Sequence, residues 1–322
     1  MSLLRTIARE TLGRTGAPEI LLRRRLARDG NRLILLFHRV LPDGSGCDLS
    51  PPGMVVTRSV FREILDWLAG RFDLPAREDF LAGHPAPLDR PAALVTFDDG
   101  WLDTVSLALP EMRERGVPGI CFVSVDHVEK GRLFWPERLA GAIERAGPER
   151  FRKATGERAP DAGDADARER LLRRWKEKSE EEREELLRRM EEPGRNEERR
   201  VADWNDLRDL SAGGVEVGSH GVSHRILTRI PPEEAARELA RSREKIAGAL
   251  GRPPAYVAYP NGDRDAVIRR LAAEAGYRFG FSLEGRMKDP YDLPRVNIHD
   301  GKATDRRGGW SDRRLRWAIG VA

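Results

Sequence analysis

Seven short apolar runs, most of them separated by stretches of helical periodicity, restrict this 322-residue chain more than any other feature. They are Arg32–His38, Ala92–Val95, Val117–Ser124, Val215–His220, Tyr256–Pro260, Phe279–Leu283 and Arg295–His299. Runs of this length, closed by turn residues, read as buried strands. Between them, Thr57 caps a helix to about Ala69 with Phe61, Ile64, Leu65 and Leu68 on one stripe. Trp101 to Arg115 reads as another helix, and Pro231-Pro232-Glu233-Glu234 opens a third that ends near Gly251. Strands alternating with helices imply a parallel α/β architecture. The length allows one large domain or two modest ones.

The second run ends in Thr96-Phe97-Asp98-Asp99-Gly100. Adjacent residues on a strand face opposite ways. Both carboxylates reach one cleft only if the pair lies where the strand frays into its loop. Two anions that close need a cation, and a bound metal is the simplest one. One Asp then ligates and the other stays free to accept a proton; the residues alone do not say which. The competing reading is a turn in which Asp-Asp-Gly caps the next helix and Gly100 takes a positive φ.

Gly218-Ser219-His220-Gly221-Val222-Ser223-His224 favours the metal. Histidines at i and i+4 share one helical face or one side of a tight loop. With a carboxylate they form a His/His/Asp set suited to Zn²⁺ or a similar divalent ion such as Ni, Co, Mn or Fe. Four of the six histidines, His38, His220, His224 and His299, fall at or near strand ends, where barrels and doubly wound sheets keep their active sites.

With these motifs in this order, the sequence resembles the NodB-like polysaccharide deacetylases, a carbohydrate-esterase family. Thr96–Gly100 is similar to that family's first motif and Ser219–His224 to its second. Leu36-Phe37-His38-Arg39-Val40 resembles the YHxV opening of one branch, and Asp203-Trp204-Asn205-Asp206-Leu207 the helix before the histidine motif. Ala258-Tyr259-Pro260-Asn261-Gly262 resembles the AYPYG form of the third motif, and Leu293–Asn297 the last strand. The likeness runs from about residue 32 to 300, with an unmatched middle near 145–200. It implies a distorted (β/α)7 barrel and a metal-dependent hydrolase removing N-acetyl groups from an amino-sugar polysaccharide or glycolipid.

The resemblance also implies roles. Asp99, His220 and His224 hold the metal and Asp98 is the general base. Backbone N–H groups near Tyr259 meet the oxyanion, with Tyr259 and Pro260 at the substrate. His299 resembles the family's last LxH motif and is the candidate general acid. Many members carry an arginine in the third motif where Ala258 stands here; Arg295 is the replacement candidate for orienting Asp98, against an ordinary ion pair. His38 is a candidate partner that orients a ligand. Phe134-Trp135 reads as rim or core packing, although an exposed Trp135 would stack on a sugar ring. Asp103 and Asp263 read as turn or cap residues, and His84 and His127 as loop residues without function.

The rest of the chain is less specific. Charged residues make up 34% with a net charge of +4, and the balance gives no support for nucleic-acid binding. Cys47 and Cys121 do not make a disulfide framework. The start shows no secretory signal and no stretch of membrane-spanning length, so a cytoplasmic location is expected. Residues 1–31 read as two amphipathic helices, one with Leu3, Leu4, Ile7 and Leu12 and one over Pro18–Gly30. The second sets Leu21, Leu22 and Leu26 against several arginines, and either packs on the barrel or lies on an anionic membrane. Residues 145–200 turn sharply to Arg and Glu and read as an inserted helical pair, a lid or an oligomer contact, with Ser179 opening its second helix. Residues 301–322 follow as a C-terminal tail. Two rival functions keep the fold: hydrolysis of a non-sugar C–N bond, or glycan binding without catalysis.

Overall fold

A computed structural model describes residues 16–45, 50–83, 90–161, 164–190 and 199–322. Cys47, His84 and the first amphipathic helix lie outside these residues. The barrel strands are β1 (Arg32–Phe37), β4 (Ala92–Phe97), β5 (Gly119–Val123), β6 (Val215–Ser219), β7 (Tyr256–Ala258), β8 (Phe279–Ser282), β9 (Leu293–Pro294) and β10 (Val296–Asn297). Two more, β2 (Arg39–Leu41) and β3 (Val55–Thr57), form a separate parallel pair that the sequence reading did not contain.

All pairings in the large sheet are parallel, in the order β10-β1-β4-β5-β6-β7-β8-β9. Its two ends are one piece of chain. Leu293 and Pro294 register with Phe281 and Ser282, while Val296 and Asn297 register with Leu35 and Leu36. Arg295 alone separates them. The eight strands therefore amount to seven segments in a closed ring, the distorted (β/α)7 barrel expected from the sequence. The last strand lies two residues earlier than its apolar run suggested.

Strand alternation sorts side chains into two layers. Ile34, Leu94, Ile120, Phe122, Ala258, Phe281 and Leu293 fill the interior, where Phe80, Leu81 and Met287 join them. Leu33, Leu35, Phe37, Val95, Phe97 and Val217 point outward beneath the helices, with Phe61, Ile64, Leu65 and Leu68 of the helix Arg58–Arg71 packed on them. Cys121 belongs to this outer layer and is fully buried.

The helix Ala17–Arg28 buries Leu22 and Leu26 in that layer beside Leu315 and Ile319 of the helix Asp312–Gly320. Residues 301–322 are thus tied to the barrel through the N-terminal helix. No helix among the described residues is long and apolar enough to cross a membrane. The charged insertion has a small core of its own. Leu171 and Trp175 of the helix Ala165–Lys176 meet Leu187 and Met190 of the helix Glu180–Met190, together with Leu139 and Phe151 of the preceding helix Trp135–Thr155. Ser179 Oγ accepts the Glu182 N–H at 3.1 Å, the cap read from the sequence.

Candidate metal centre

Asp98 continues the inward-facing series Ala92, Leu94 and Thr96, and its N–H donates to Phe37 O at 3.0 Å. Strict alternation would turn Asp99 outward. Instead its φ is +78°, and both carboxylates line one cavity of about 880 Å³ at the barrel mouth. Left-handed backbone is uncommon for a residue with a side chain and recurs at functional sites. His224 (φ +63°) and Asn261 (φ +64°) share that conformation and the same cavity. The next residue, Gly100, also has a positive φ of 79°, and a Cβ there would lie 2.9 Å from Val123 Cγ1.

His220 follows β6. A carbonyl only accepts, so the 2.8 Å contact from its Nδ1 to Ala258 O fixes the proton on Nδ1 and leaves the Nε2 lone pair facing the carboxylates. His220 Nε2 is 3.8 Å from Asp99 Oδ1, and His224 Nε2 is 3.4 Å from the same oxygen. The loop between the histidines is not helical. Glu238, on the helix Pro232–Leu250, holds it by accepting from Val222 N at 2.7 Å, Ser223 N at 3.0 Å and Ser223 Oγ at 2.7 Å.

One ligand atom each from Asp99, His220 and His224 fall within 4.8 Å of one another. Asp99 Oδ2 accepts from Trp101 Nε1 at 3.1 Å, but the buried Oδ1 has no hydrogen-bond partner. A buried lone pair left open and two imidazole nitrogens aimed toward it suit a divalent cation. Burial, aided by the Asp98 charge, pushes Asp99 up to about 6. Burial holds His220 below the ordinary imidazole value, and His224 well below it, so both rings are neutral and able to offer a lone pair.

Asp98 sits differently. Arg295 Nη1 and Nη2 donate to its two oxygens at 2.6 and 2.8 Å, and both residues are buried. Burial works against the charge, but Arg295 outweighs it and keeps the carboxyl below its usual range. Ala258, in the third-motif position, is a small interior residue.

The other sequence candidates divide. His38 lines the cavity with its buried Nδ1 unpartnered, at the point where the chain leaves β1. Trp135 also lines it, under the Arg183 guanidinium at 5.3 Å. Tyr259 does not: the alternation that sends Ala258 inward puts its ring in the outer layer, its OH donates to Tyr291 O, and its N–H donates to Phe281 O at 3.0 Å. Pro260 is buried and also off the cavity, where Asn261 and Gly262 stand instead. His299 directly precedes the short helix Asp300–Ala303, makes no side-chain capping bond to it, and sets its ring against Gly301, outside the cavity lining. Asp103 accepts from Val40 N at 2.9 Å and from Arg39 at 2.5 Å, joining β2 to the helix that begins after Trp101. His127 is on the helix Val125–Lys130 and stacks on Phe134 at 3.8 Å, whose edge meets His224. Glu137 and Glu238 were not singled out in the sequence; both sit in charge-rich helices with no motif around them.

Residues 86–280, more than half of the chain, match the family model described as polysaccharide deacetylase. The chain belongs to the polysaccharide deacetylase family. A Bacillus subtilis (strain 168) relative named as a polysaccharide deacetylase, YxkH, is 22% identical over 108 residues. That match spans 32% of this chain and 39% of the relative. Among solved structures, the Streptococcus pyogenes deacetylase PplD, in complex with acetate, superposes with a TM-score of 0.56 at 14% identity, covering 84% of this chain and 93% of its own. IcaB from Ammonifex degensii gives 0.54 at 21% identity, covering 89% and 97%. At these identities the likeness is one of fold, and it is the fold of a deacetylase barrel.

Proposed function

We propose that this polysaccharide deacetylase family member removes N-acetyl groups from an amino-sugar polysaccharide or glycolipid, with a divalent ion, Zn²⁺ first among them, held by Asp99, His220 and His224. The observation that carries the reading is the pairing of that open Asp99 oxygen and two imidazoles with a second carboxylate, Asp98, fixed at its side by Arg295. Such an ion acts as a Lewis acid on the acyl carbonyl and lowers the pKa of water.

The chain's own residues supply the rest. Asp98 stays ionised near neutral pH and accepts the proton of the attacking water. Arg295 stops it from rotating, and as a buried cation keeps it charged. His38, on the cavity with an unpartnered ring nitrogen and held neutral by burial, is better located than His299 to pass to the departing nitrogen the proton that Asp98 takes from the water. Trp135 offers an aromatic wall to a sugar ring. Metal analysis of purified protein, with acetate release from an N-acetylglucosamine oligomer, tests the reading. Asp98→Asn is expected to keep its metal and lose turnover, and His220→Ala to lose both. Equal activity in wild type and both variants would overturn it.

A further inference from the structure

Glu137 stands in the cavity wall without an assigned role. It is the third residue of the helix Trp135–Thr155, lines the cavity and is 1% exposed, yet neither carboxylate oxygen makes a hydrogen bond of good length and angle; the Ser50 hydroxyl and the residue's own backbone N–H are the polar groups nearest to it. Neighbouring acids of the same wall are matched: Asp126 with Lys130, Glu169 with Arg173, and Glu184 with Arg132 and Arg138. A buried carboxyl this weakly paired costs the fold stability, and a ligand hydroxyl in the cavity would complete its hydrogen bonding. Burial, with the Asp99 charge second, pushes it up to about 8, so at neutral pH it is mostly a neutral acid that both donates and accepts. It is not one of the three clustered metal-binding side chains.

We propose that Glu137 is a substrate-recognition residue, hydrogen-bonding a hydroxyl of the sugar ring that carries the acetamide. A hydroxyl also donates and accepts, which matches this group better than a cation does. The inference rests on the deacetylase reading.

Two readouts on the full-length, metal-loaded protein test it. Calorimetric binding of an N-acetylglucosamine tetramer is compared between Asp98→Asn and the same protein with Glu137→Leu or Glu137→Gln added. Loss of one buried hydrogen bond predicts roughly tenfold weaker binding for Leu and a smaller loss for Gln. Glu137→Leu, close in volume and free of the desolvated acid, is also expected to raise the melting temperature by about 2–4 °C. Unchanged binding with a lower melting temperature marks a structural residue and overturns the inference. So does a fall in metal content, which would put Glu137 on the ion, or failure of the Asp98→Asn protein to bind the tetramer. Wild type that binds the tetramer but releases no acetate defeats the deacetylase reading instead, while weakened binding by the Leu variant still supports the role of Glu137.

Discussion

Arg295 closes on both oxygens of Asp98 although 197 positions separate them in sequence. The guanidinium comes from the segment that completes the ring, not from the third motif, where Ala258 stands. The residue that seals the barrel is therefore the one that holds the proposed base.

Removing that cation strands a buried anion. Arg295→Met is expected to lower turnover by about 10²-fold or more and to destabilise the fold by roughly 3–5 kcal/mol. Asp98 has a depressed pKa, so its stabilising contribution is present above the unfolded carboxyl value and is lost as pH falls through the folded value. In the variant, burial acts unopposed by Arg295, and the acid limb of the kcat/KM profile should move to higher pH. A limb that stays in place counts against the pairing.

Asp99 behaves in the opposite sense. Its folded pKa of about 6 lies above the unfolded value, so the metal-free protein should lose stability from this group as pH rises between about 4 and 6. His38, His220 and His224, all depressed, pull the other way. The Asp99 share is isolated as the difference between chelator-stripped wild type and Asp99→Asn. That difference is expected to shift by on the order of 3 kcal/mol from pH 4 to pH 7, and added Zn²⁺ should abolish the shift. Urea midpoints measure it; a difference flat with pH would contradict the placement.

Glu238 touches no proposed ligand, yet its two oxygens hold the loop that aims His224. Glu238→Ala is expected to weaken metal binding by about 10–100-fold, with a stability loss of about 1–3 kcal/mol. Metal titration followed by thermal melting separates the two effects. Full metal affinity in the variant would show that the loop keeps its shape unaided.

Gly100→Ala places a methyl 2.9 Å from Val123 Cγ1 on a backbone with φ +79°. A loss of about 1–3 kcal/mol is expected, with a larger fractional loss of metal affinity because Asp99 is adjacent. Gly116→Ala, also at positive φ but with open space around its Cβ, is the control for backbone strain alone.

Much of this was legible beforehand. The seven apolar runs gave the ring because each buried strand is apolar on both faces, and the paired motifs gave the cavity side chains because Asp98–Asp99 and His220–His224 are local. Long-range partnerships were harder. The Glu238 clamp joins a loop to a helix through ordinary-looking charges, and Glu137 lies in a stretch where acids usually face water. Tyr259 and His299 lie off the cavity lining for a related reason. Motif position does not reveal on which side of the strand a ring emerges, and alternation after Ala258 sends Tyr259 away from the cavity. The β2–β3 pair has no sequence signature because three-residue strands carry too little periodicity.

The seam at Arg295 has a last consequence. A chain cut before Leu293 would expose the flanks of β8 and β1, two bare rows of peptide groups ready to stick to other molecules. The same cut would take away the counter-charge of Asp98. Damage to that short joint should therefore produce aggregation and inactivity as one event, never a soluble barrel that merely works poorly.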